Sequence, residues 1–161
     1  MRAVLQLCRR ASVTIHEKVH AEIGRGMLLL VGIGASDTEK EAALLADRIA
    51  KLRIFPDENG RLNKNLCDVE IEGDILAVSN FTLYADCKKS RRPDFFASAK
   101  GDGAKHLFDT FLAMLRAKLQ LHCTENSLRF PEIKTGVFGA DMQVELINDG
   151  PVTLILDTDT L

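Results

Sequence analysis

Three short polar segments interrupt apolar stretches of this chain, and they hold residue types that could take part in chemistry. The first is Ser79-Asn80-Phe81-Thr82, which we predict to lie in the middle of a hydrophobic strand. A buried strand has no need of three polar side chains here, because buried polar atoms require hydrogen-bond partners. Two interpretations stay open: these side chains satisfy neighbouring backbone groups, or they form the wall of a pocket.

The other two polar segments lie near the end of the chain. One is the stretch Thr135–Met142 (TGVFGADM), whose two glycines would let the backbone approach a ligand closely. The other is Asn148-Asp149-Gly150-Pro151, in which Asn-Asp-Gly has hairpin-turn chemistry and Gly-Pro is common in turns. A β-bulge in the first segment and an ordinary turn in the second are the alternatives to a binding role.

The densest positive cluster of the chain is a short loop. Its basic residues are Lys88, Lys89, Arg91 and Arg92. Such a run is usually a solvated loop, and it would also suit contact with the phosphates of a nucleic acid.

The familiar catalytic patterns are absent from the sequence. It contains no G-x-S-x-G elbow, no Walker loop and no H-E-x-x-H motif. The four histidines are scattered, and each is interpreted as a surface residue. The four cysteines form no C-x-x-C pair and have no zinc-finger spacing, which predicts reduced thiols. We therefore expect no metal and no cofactor.

Together, the polar segments resemble the D-aminoacyl-tRNA deacylase family. The family pattern Ser-Gln-Phe-Thr-Leu is similar to Ser79–Leu83, and Asn-x-Gly-Pro-Val-Thr is similar to Asn148–Thr153. Further similarity runs through MRAVLQ at the start, LRIFPDENGRLN from Leu52, RRPDF from Arg91 and TGVFGADMQVEL from Thr135. The resemblance thus extends from Met1 to about Asp157.

The resemblance implies a homodimeric enzyme that hydrolyses the ester between a D-amino acid, or glycine, and the terminal adenosine of tRNA. Gly150 and Pro151, joined by a cis bond, would project from one subunit into the pocket of the other. Their carbonyl groups would accept hydrogen bonds from the substrate ammonium group, and an L side chain would collide with their backbone. The remaining residues assigned to substrate binding and chiral selection are Asn148, Gly139, Ala140 and Met142.

The same resemblance makes Ser79, Asn80, Phe81 and Thr82 the catalytic segment. The ribose hydroxyl beside the ester would help to activate water or the carbonyl, and backbone N–H groups around Phe81 and Thr82 would stabilise the oxyanion. Thr82 as a covalent nucleophile is the alternative, although a hydroxyl without a neighbouring base is a poor nucleophile.

The chain departs from the family pattern at two positions. Asn80 stands where Gln is usual, and Leu7 stands where an Arg usually braces the Gly-Pro element. Two alternatives follow for the brace: Arg9 or Arg10 replaces it, or the chain lacks it. The stretch from Leu121 to Pro131 has no clear counterpart. Two other functions therefore stay open: an editor of L-alanyl-tRNA(Thr) with relaxed chirality, and a non-catalytic tRNA-binding dimer.

The apolar patterns predict the elements that position these residues. Strands are expected at 2–8, 11–16, 19–23, 27–33, 74–84, 133–138, 142–147 and 152–157. One helix should follow a capping box at Ser36–Glu39 and carry an apolar stripe from Ala42 to Leu52, and a second should span 103–121. This order favours a single α+β domain over 1–161, with a curved mixed or antiparallel, barrel-like sheet and two covering helices.

The composition is that of an ordinary soluble domain. The chain has 161 residues, of which 46% are hydrophobic and 27% charged, and a formal net charge of −2. This charge argues against a polycationic nucleic-acid binder, although not against a local basic patch. No apolar run approaches the roughly 18 residues of a membrane span. We expect a cytoplasmic protein with aminoacylated tRNA as partner and no membrane.

Overall fold

The computed structural model describes residues 1–68, 73–88, 91–126 and 128–161. The elements, in chain order, are β1 (Arg2–Ile15), β2 (Lys18–Ile23), β3 (Gly26–Gly32), α1 (Glu39–Lys51), β4 (Arg53–Pro56), β5 (Leu62–Asn65), β6 (Asp74–Ser79), a 3₁₀ helix (Phe81–Tyr84), α2 (Gly101–Glu125), β7 (Ile133–Thr135) and β8 (Gln143–Asp157). No helix among the described residues is long and apolar enough to cross a membrane.

The main sheet is mixed and strongly curved. Strand β1 pairs antiparallel with β2, β3 and β8, whereas β3 pairs parallel with β6, and β6 pairs parallel with β7. The end strands β2 and β7 come close enough to line a common cleft, so that the sheet nearly closes on itself. This arrangement confirms the α+β class with a mixed, barrel-like sheet and two helices.

Two predictions of separate strands are wrong. The stretches 2–8 and 11–16 belong to the single strand β1, and 142–147 and 152–157 belong to the single strand β8. The polar residues between them suggested breaks, but the two long strands pair with each other from Arg2–Asp157 to Thr14–Gln143. Backbone pairing over this length holds both strands extended, whatever their local side chains.

Three other element boundaries differ from the prediction. Strand β6 ends at Ser79, and the predicted continuation to 84 is instead the 3₁₀ helix. Strand β7 is shorter than predicted and ends at Thr135. Helix α2 extends beyond 103–121 at both ends, and its buried face continues as far as Cys123.

The core lies on both faces of the sheet, because successive strand residues point to opposite sides. Leu5, Leu29 and Ala77 belong to the larger cluster, which includes the buried faces of α1 and α2. Leu28 and Leu76 belong to a second cluster on the other face. The helices therefore cover one face, and the sheet encloses the second cluster by its own curvature.

Helix α1 begins at a capping box that lies two residues later than predicted. The Thr38 hydroxyl accepts a hydrogen bond from the Lys40 N–H at 3.2 Å, and the Glu41 carboxylate accepts one from the Thr38 N–H at 2.8 Å. The box is therefore Thr38–Glu41 and not Ser36–Glu39. Thr-x-x-Glu meets the same chemical requirement as Ser-x-x-Glu, and only the backbone geometry distinguishes the two.

We expect Thr38→Ala to lower the free energy of unfolding by about 1 kcal/mol, because the first turn of α1 loses its side-chain acceptor. In a chain of this size the Tm should fall by about 2–4 °C in thermal unfolding. Ser36→Ala is the matched control and should leave the Tm unchanged. An equal fall in both variants would contradict the assignment of Thr38 as the cap.

Candidate functional site

A cavity of about 780 Å³ brings together two of the predicted polar segments. Ser79, Asn80, Phe81 and Thr82 form part of its wall, together with the stretch from Phe138 to Met142. The predicted site residues Gly139, Ala140 and Met142 belong to this second stretch. Segments that lie some sixty positions apart in the chain therefore meet at one concave surface, as a pocket requires.

Sequence reasoning missed a third part of the wall. It runs from the loop before α2 into the first turn of that helix, and it contributes Phe95, Ser98, Ala99, Lys100, Gly101 and Ala104. Phe95 packs edge-on against Phe81, with 5.0 Å between the ring centroids. Only the RRPDF similarity touched this region, since small and apolar residues before a helix carry no pattern of their own.

Asn80 shapes the segment Ser79–Thr82 by capping the 3₁₀ helix. Its side-chain Oδ1 accepts hydrogen bonds from the Thr82 N–H at 3.1 Å and from the Thr82 hydroxyl at 2.6 Å. Asn is a favoured N-cap because its short side chain reaches the backbone two residues on. The Thr82 N–H is thus occupied, whereas the Phe81 N–H stands at the first helical position, where no intrahelical acceptor exists.

Tyr84 anchors the 3₁₀ helix through contacts with Asp37 and Arg2. The phenol donates a hydrogen bond to the Asp37 carboxylate at 3.2 Å, and the Arg2 guanidinium lies 4.4 Å from the ring centroid. Burial, together with the charge of Asp37, raises the pKa of Tyr84 above its ordinary value, so the phenol keeps its proton. A Cβ at Gly34 would lie 2.9 Å from the Tyr84 ring, so only glycine allows this approach.

The charged groups in the cavity wall are Lys100 and Asp141, and no histidine belongs to the wall that the described residues form. Lys100 also lies 5.7 Å from the centre of the Phe96 ring. Within the described parts of the chain, no three His, Cys, Asp or Glu side chains are arranged to hold a metal ion. Besides these two charged groups, the wall offers backbone donors, hydroxyls and aromatic faces.

The segment Asn148–Pro151 is a bulge within β8, and the hairpin-turn interpretation is wrong. Gln6 pairs with Thr153 and Cys8 pairs with Asn148, so four residues of β8 face a single residue of β1. The extra length pushes Gly150 and Pro151 out of the sheet, where both are exposed. The bond between them is cis, and Gly150 has a φ of +132°.

The Asn148 side chain holds the bulge closed. Its Oδ1 accepts from the Val152 N–H at 2.8 Å, and its Nδ2 donates to the Val152 carbonyl oxygen at 3.2 Å. These bonds replace the strand pairing that the bulge removes. The Asn148 side chain is therefore hydrogen-bonded to the backbone of Val152, and Asn148 does not line the cavity.

Arg9 lies beside the bulge and pairs with one of its residues. Its Nε lies 3.0 Å from the Asp149 carboxylate, next to Gly150. Arg10 pairs instead with Glu145, and Leu7 is buried in the core at 3% exposure. Of the two replacements that the sequence left open, the geometry favours Arg9, although an exposed ion pair contributes little stability.

The basic loop lies between the 3₁₀ helix and α2, outside the named strands. Asp86 and Asp94 exchange two backbone hydrogen bonds at the base of the loop, and Lys88, Arg91 and Arg92 are exposed beyond them. Lys89, the fourth predicted basic residue, lies outside the described residues. The loop precedes Phe95 directly, so its base adjoins the cavity wall.

The comparison with protein families decides what kind of protein carries this cavity. The family model described as D-Tyr-tRNA(Tyr) deacylase matches residues 4–157. The chain belongs to this family. The match includes both segments of the cavity wall and the β8 bulge, as the resemblance of the sequence predicted.

Curated relatives and solved structures agree with this membership. The chain is 49% identical to a D-aminoacyl-tRNA deacylase of Bacillus thuringiensis (strain Al Hakam), over 98% of this chain and 99% of the relative. The corresponding protein of Bacillus cytotoxicus is 48% identical over the same shares. The structure of a c-Myc DNA unwinding element binding protein superposes with a TM-score of 0.83 at 39% identity, covering 98% of each chain.

A more distant structure shares the fold. It is described as a probable eukaryotic D-amino acid tRNA deacylase, and it has a TM-score of 0.77 at 18% identity, covering 96% of this chain and 97% of the other. Two helices against a mixed sheet are therefore retained where most of the sequence has changed.

Proposed function

We propose that this chain, as one deacylase domain over 1–161, hydrolyses the ester bond of D-aminoacyl-tRNA and releases a free D-amino acid and tRNA. The observation that carries the proposal is the family match over residues 4–157. The cavity supports it, because Ser79–Thr82 and Gly139–Met142 line a single concave wall large enough for an aminoacylated nucleoside. We extend the proposal to glycyl-tRNA mischarged on tRNA(Ala), since glycine has no side chain that a chiral filter could reject.

The proposed chemistry needs no side-chain base. The ribose hydroxyl beside the ester assists the attack of water, and the protein contributes position and oxyanion stabilisation. The Phe81 N–H is the donor that we assign to the oxyanion, because the Thr82 N–H already bonds to Asn80. The exposed face of Phe81, which is 57% accessible, offers a stacking surface for the terminal adenine.

Thr82→Ala should keep hydrolysis of D-tyrosyl-tRNA within about fivefold of wild type, because the variant loses one hydrogen bond worth about 1 kcal/mol. The Thr82 hydroxyl donates to an amide oxygen, which cannot take up its proton, so it is a poor nucleophile. Single-turnover kinetics with radiolabelled D-tyrosyl-tRNA measure the effect. Complete loss in a folded variant would restore Thr82 as the nucleophile.

We propose further that the active unit is a homodimer in which Gly150 and Pro151 complete the cavity of the partner subunit. Asn148, where the bulge begins, lies four residues beyond Val144, the last cavity residue of β8, which corresponds to roughly 14 Å of extended strand, and Gly150 lies beyond it. Of the described strands, only β1 pairs with β8, so the other edge of this 15-residue strand is open. Ile147 and Ile155 are 46% and 76% exposed on it. A long open edge with apolar side chains is typical of an interface.

Complementation between two defective variants tests this arrangement. Asn80→Ala would impair the cavity, and Gly150→Ala would impair the projecting segment. A heterodimer of the two, purified through two different tags, should regain about half of the wild-type activity, because one of its two sites is intact. The matched control pairs wild type with an Asn80→Ala/Gly150→Ala chain and should be almost inactive. The reverse outcome would place Gly150 and Pro151 in the site of their own subunit.

Release of D-tyrosine, L-tyrosine, glycine and L-alanine from their tRNAs tests the substrate. We expect turnover of D-tyrosine and glycine with rejection of L-tyrosine. Turnover of L-alanine would favour the relaxed editor of L-alanyl-tRNA(Thr). Absence of all turnover, with tRNA binding retained, would favour the non-catalytic binder.

We place the aminoacylated tRNA along the face that carries the basic loop. Lys88, Arg91 and Arg92 are exposed there, and Lys100 extends the positive charge to the cavity wall. Such contacts predict an affinity for tRNA that falls as the salt concentration rises. We also propose a cytoplasmic location, because the proposed substrate is made during translation.

A further inference from the structure

Two buried cysteines far from the cavity lie in direct contact. The sulfur atoms of Cys67 and Cys123 are 2.6 Å apart, although the residues are separated by 56 positions in the chain. Both side chains are 3% exposed, and neither lines the cavity. A disulfide bond requires an S–S distance of about 2.05 Å, so the sulfurs need to close by only about 0.6 Å.

The backbone holds each thiol in place. The Cys67 N–H donates to the Asn65 side chain at 2.9 Å, and Asn65 in turn donates to the carbonyl oxygen of Ala50 at the end of α1 at 2.7 Å. Cys123 lies in the last turn of α2, where its carbonyl oxygen accepts from the Leu128 N–H at 2.8 Å. Packing of these two chain segments therefore presents one thiol to the other.

We propose that Cys67 and Cys123 are an oxidisable pair, which a small-molecule disulfide such as glutathione disulfide converts into an intramolecular disulfide that ties the end of α2 to the segment after β5. The cavity segment Ser79–Thr82 and the first turn of α2 both lie within the chain loop that this bond closes. The bond therefore stabilises the fold around the cavity without touching its wall. This inference does not depend on the proposed function.

The reaction is a pair of thiol–disulfide exchanges. One protein thiol, as its thiolate, attacks a sulfur of glutathione disulfide, forms a mixed disulfide and releases one glutathione, which takes up the proton. The second protein thiol then attacks the protein sulfur of the mixed disulfide and releases the second glutathione. The two cysteines lose two protons and two electrons, and glutathione disulfide is reduced to two thiols.

The environment of the pair makes the exchange slow and selective. Burial raises the pKa of the Cys67 thiol, and the neighbouring Cys123 thiol raises it further, so little thiolate is present at neutral pH. Attack depends on fraying of the last turn of α2, because helix ends open more easily than helix centres. Cys8 is the matched comparison: burial raises its pKa to about 11, but it has no sulfur partner among the described residues.

The test uses the folded protein in a Cys87→Ser background, which removes the exposed thiol and leaves three cysteines. The protein is incubated with glutathione disulfide or with dithiothreitol, denatured in an alkylating reagent and weighed by mass spectrometry. We expect three alkyl groups after reduction and one after oxidation, with Cys67 and Cys123 in a single cross-linked peptide. Cys8→Ser should still form the link, whereas Cys67→Ser and Cys123→Ser should not.

Thermal unfolding provides the second measurement. Oxidation should raise the Tm by about 8–16 °C, as expected for a disulfide that closes a loop of this length, and the Cys67→Ser chain should show no such rise. Three alkyl groups after prolonged oxidation, or a link through Cys8, would overturn the pairing. A linked protein with an unchanged or lower Tm would overturn its stabilising role. Neither measurement uses deacylase activity, so its outcome is independent of the proposed function.

Discussion

Gly150→Ala should lower kcat/KM for D-tyrosyl-tRNA by about 100-fold, because misplacing a binding group by about 1 Å can cost this much. Gly150 has a φ of +132°, which side chains rarely tolerate, and an added Cβ would lie 2.7 Å from Val152 Cγ2 and 2.9 Å from the Val152 nitrogen. The bulge must therefore rearrange, and with it the two carbonyl groups that we assign to the substrate ammonium group.

The control for this prediction is Gly24→Ala, since no atom lies within 4 Å of a Cβ at that position. It should retain wild-type activity and stability. Circular dichroism and thermal unfolding should show that Gly150→Ala keeps its fold, because Gly150 and Pro151 are exposed and lie outside the core. Unchanged kinetics in a folded Gly150→Ala protein would remove this segment from the active site.

Asn80→Ala is expected to reduce kcat/KM for the same substrate by roughly 10- to 100-fold. The variant removes the acceptor for both the N–H and the hydroxyl of Thr82, so the 3₁₀ helix loses its cap. The Phe81 N–H then no longer has a defined direction. Stability should change by only about 1 kcal/mol, because a single cap is lost. Single-turnover kinetics and thermal unfolding separate the two effects.

Asn80→Asp distinguishes capping from direct contact with substrate. A carboxylate oxygen accepts the same two hydrogen bonds, so this variant should retain at least about tenfold more activity than Asn80→Ala if capping is the role. Equal losses in the two variants would instead indicate that the Asn80 amide group itself binds the substrate. Wild-type activity in both would exclude a role for this side chain.

These two predictions rest on features that local sequence patterns describe poorly. The polar run Ser79–Thr82 stands out in the sequence, but its apolar neighbours predict that it lies within a strand. The capping hydrogen bonds of Asn80 turn the chain into a 3₁₀ helix instead. A side chain that hydrogen-bonds to the nearby backbone competes with strand pairing. Whether the capped helix or the strand forms depends on where the neighbouring strand ends. The Asn80 N–H makes the last hydrogen bond to β3, at the Val31 carbonyl oxygen, and β3 ends at Gly32, so no parallel partner continues beside Phe81.

The bulge in β8 is a second feature that local sequence patterns do not predict. Asn-Asp-Gly-Pro predicts a turn when only its own residues are considered. Pairing of β8 with β1 on both sides of the segment prevents the chain from reversing, so the extra residues are extruded instead. The alternation of apolar residues in 142–147 and 152–157 was read correctly, and only the connection between them was wrong.

The sequence by itself determined the family, the α+β class, the two helices and the three polar segments, because these depend on local residue order and on short motifs. Only the tertiary structure decided that Ser79–Thr82 and Gly139–Met142 share one cavity, that Gly150 and Pro151 lie outside it, and that Cys67 touches Cys123. Such contacts join residues far apart in the chain. They arise from the curvature of the sheet and the packing of α2, which no local pattern records.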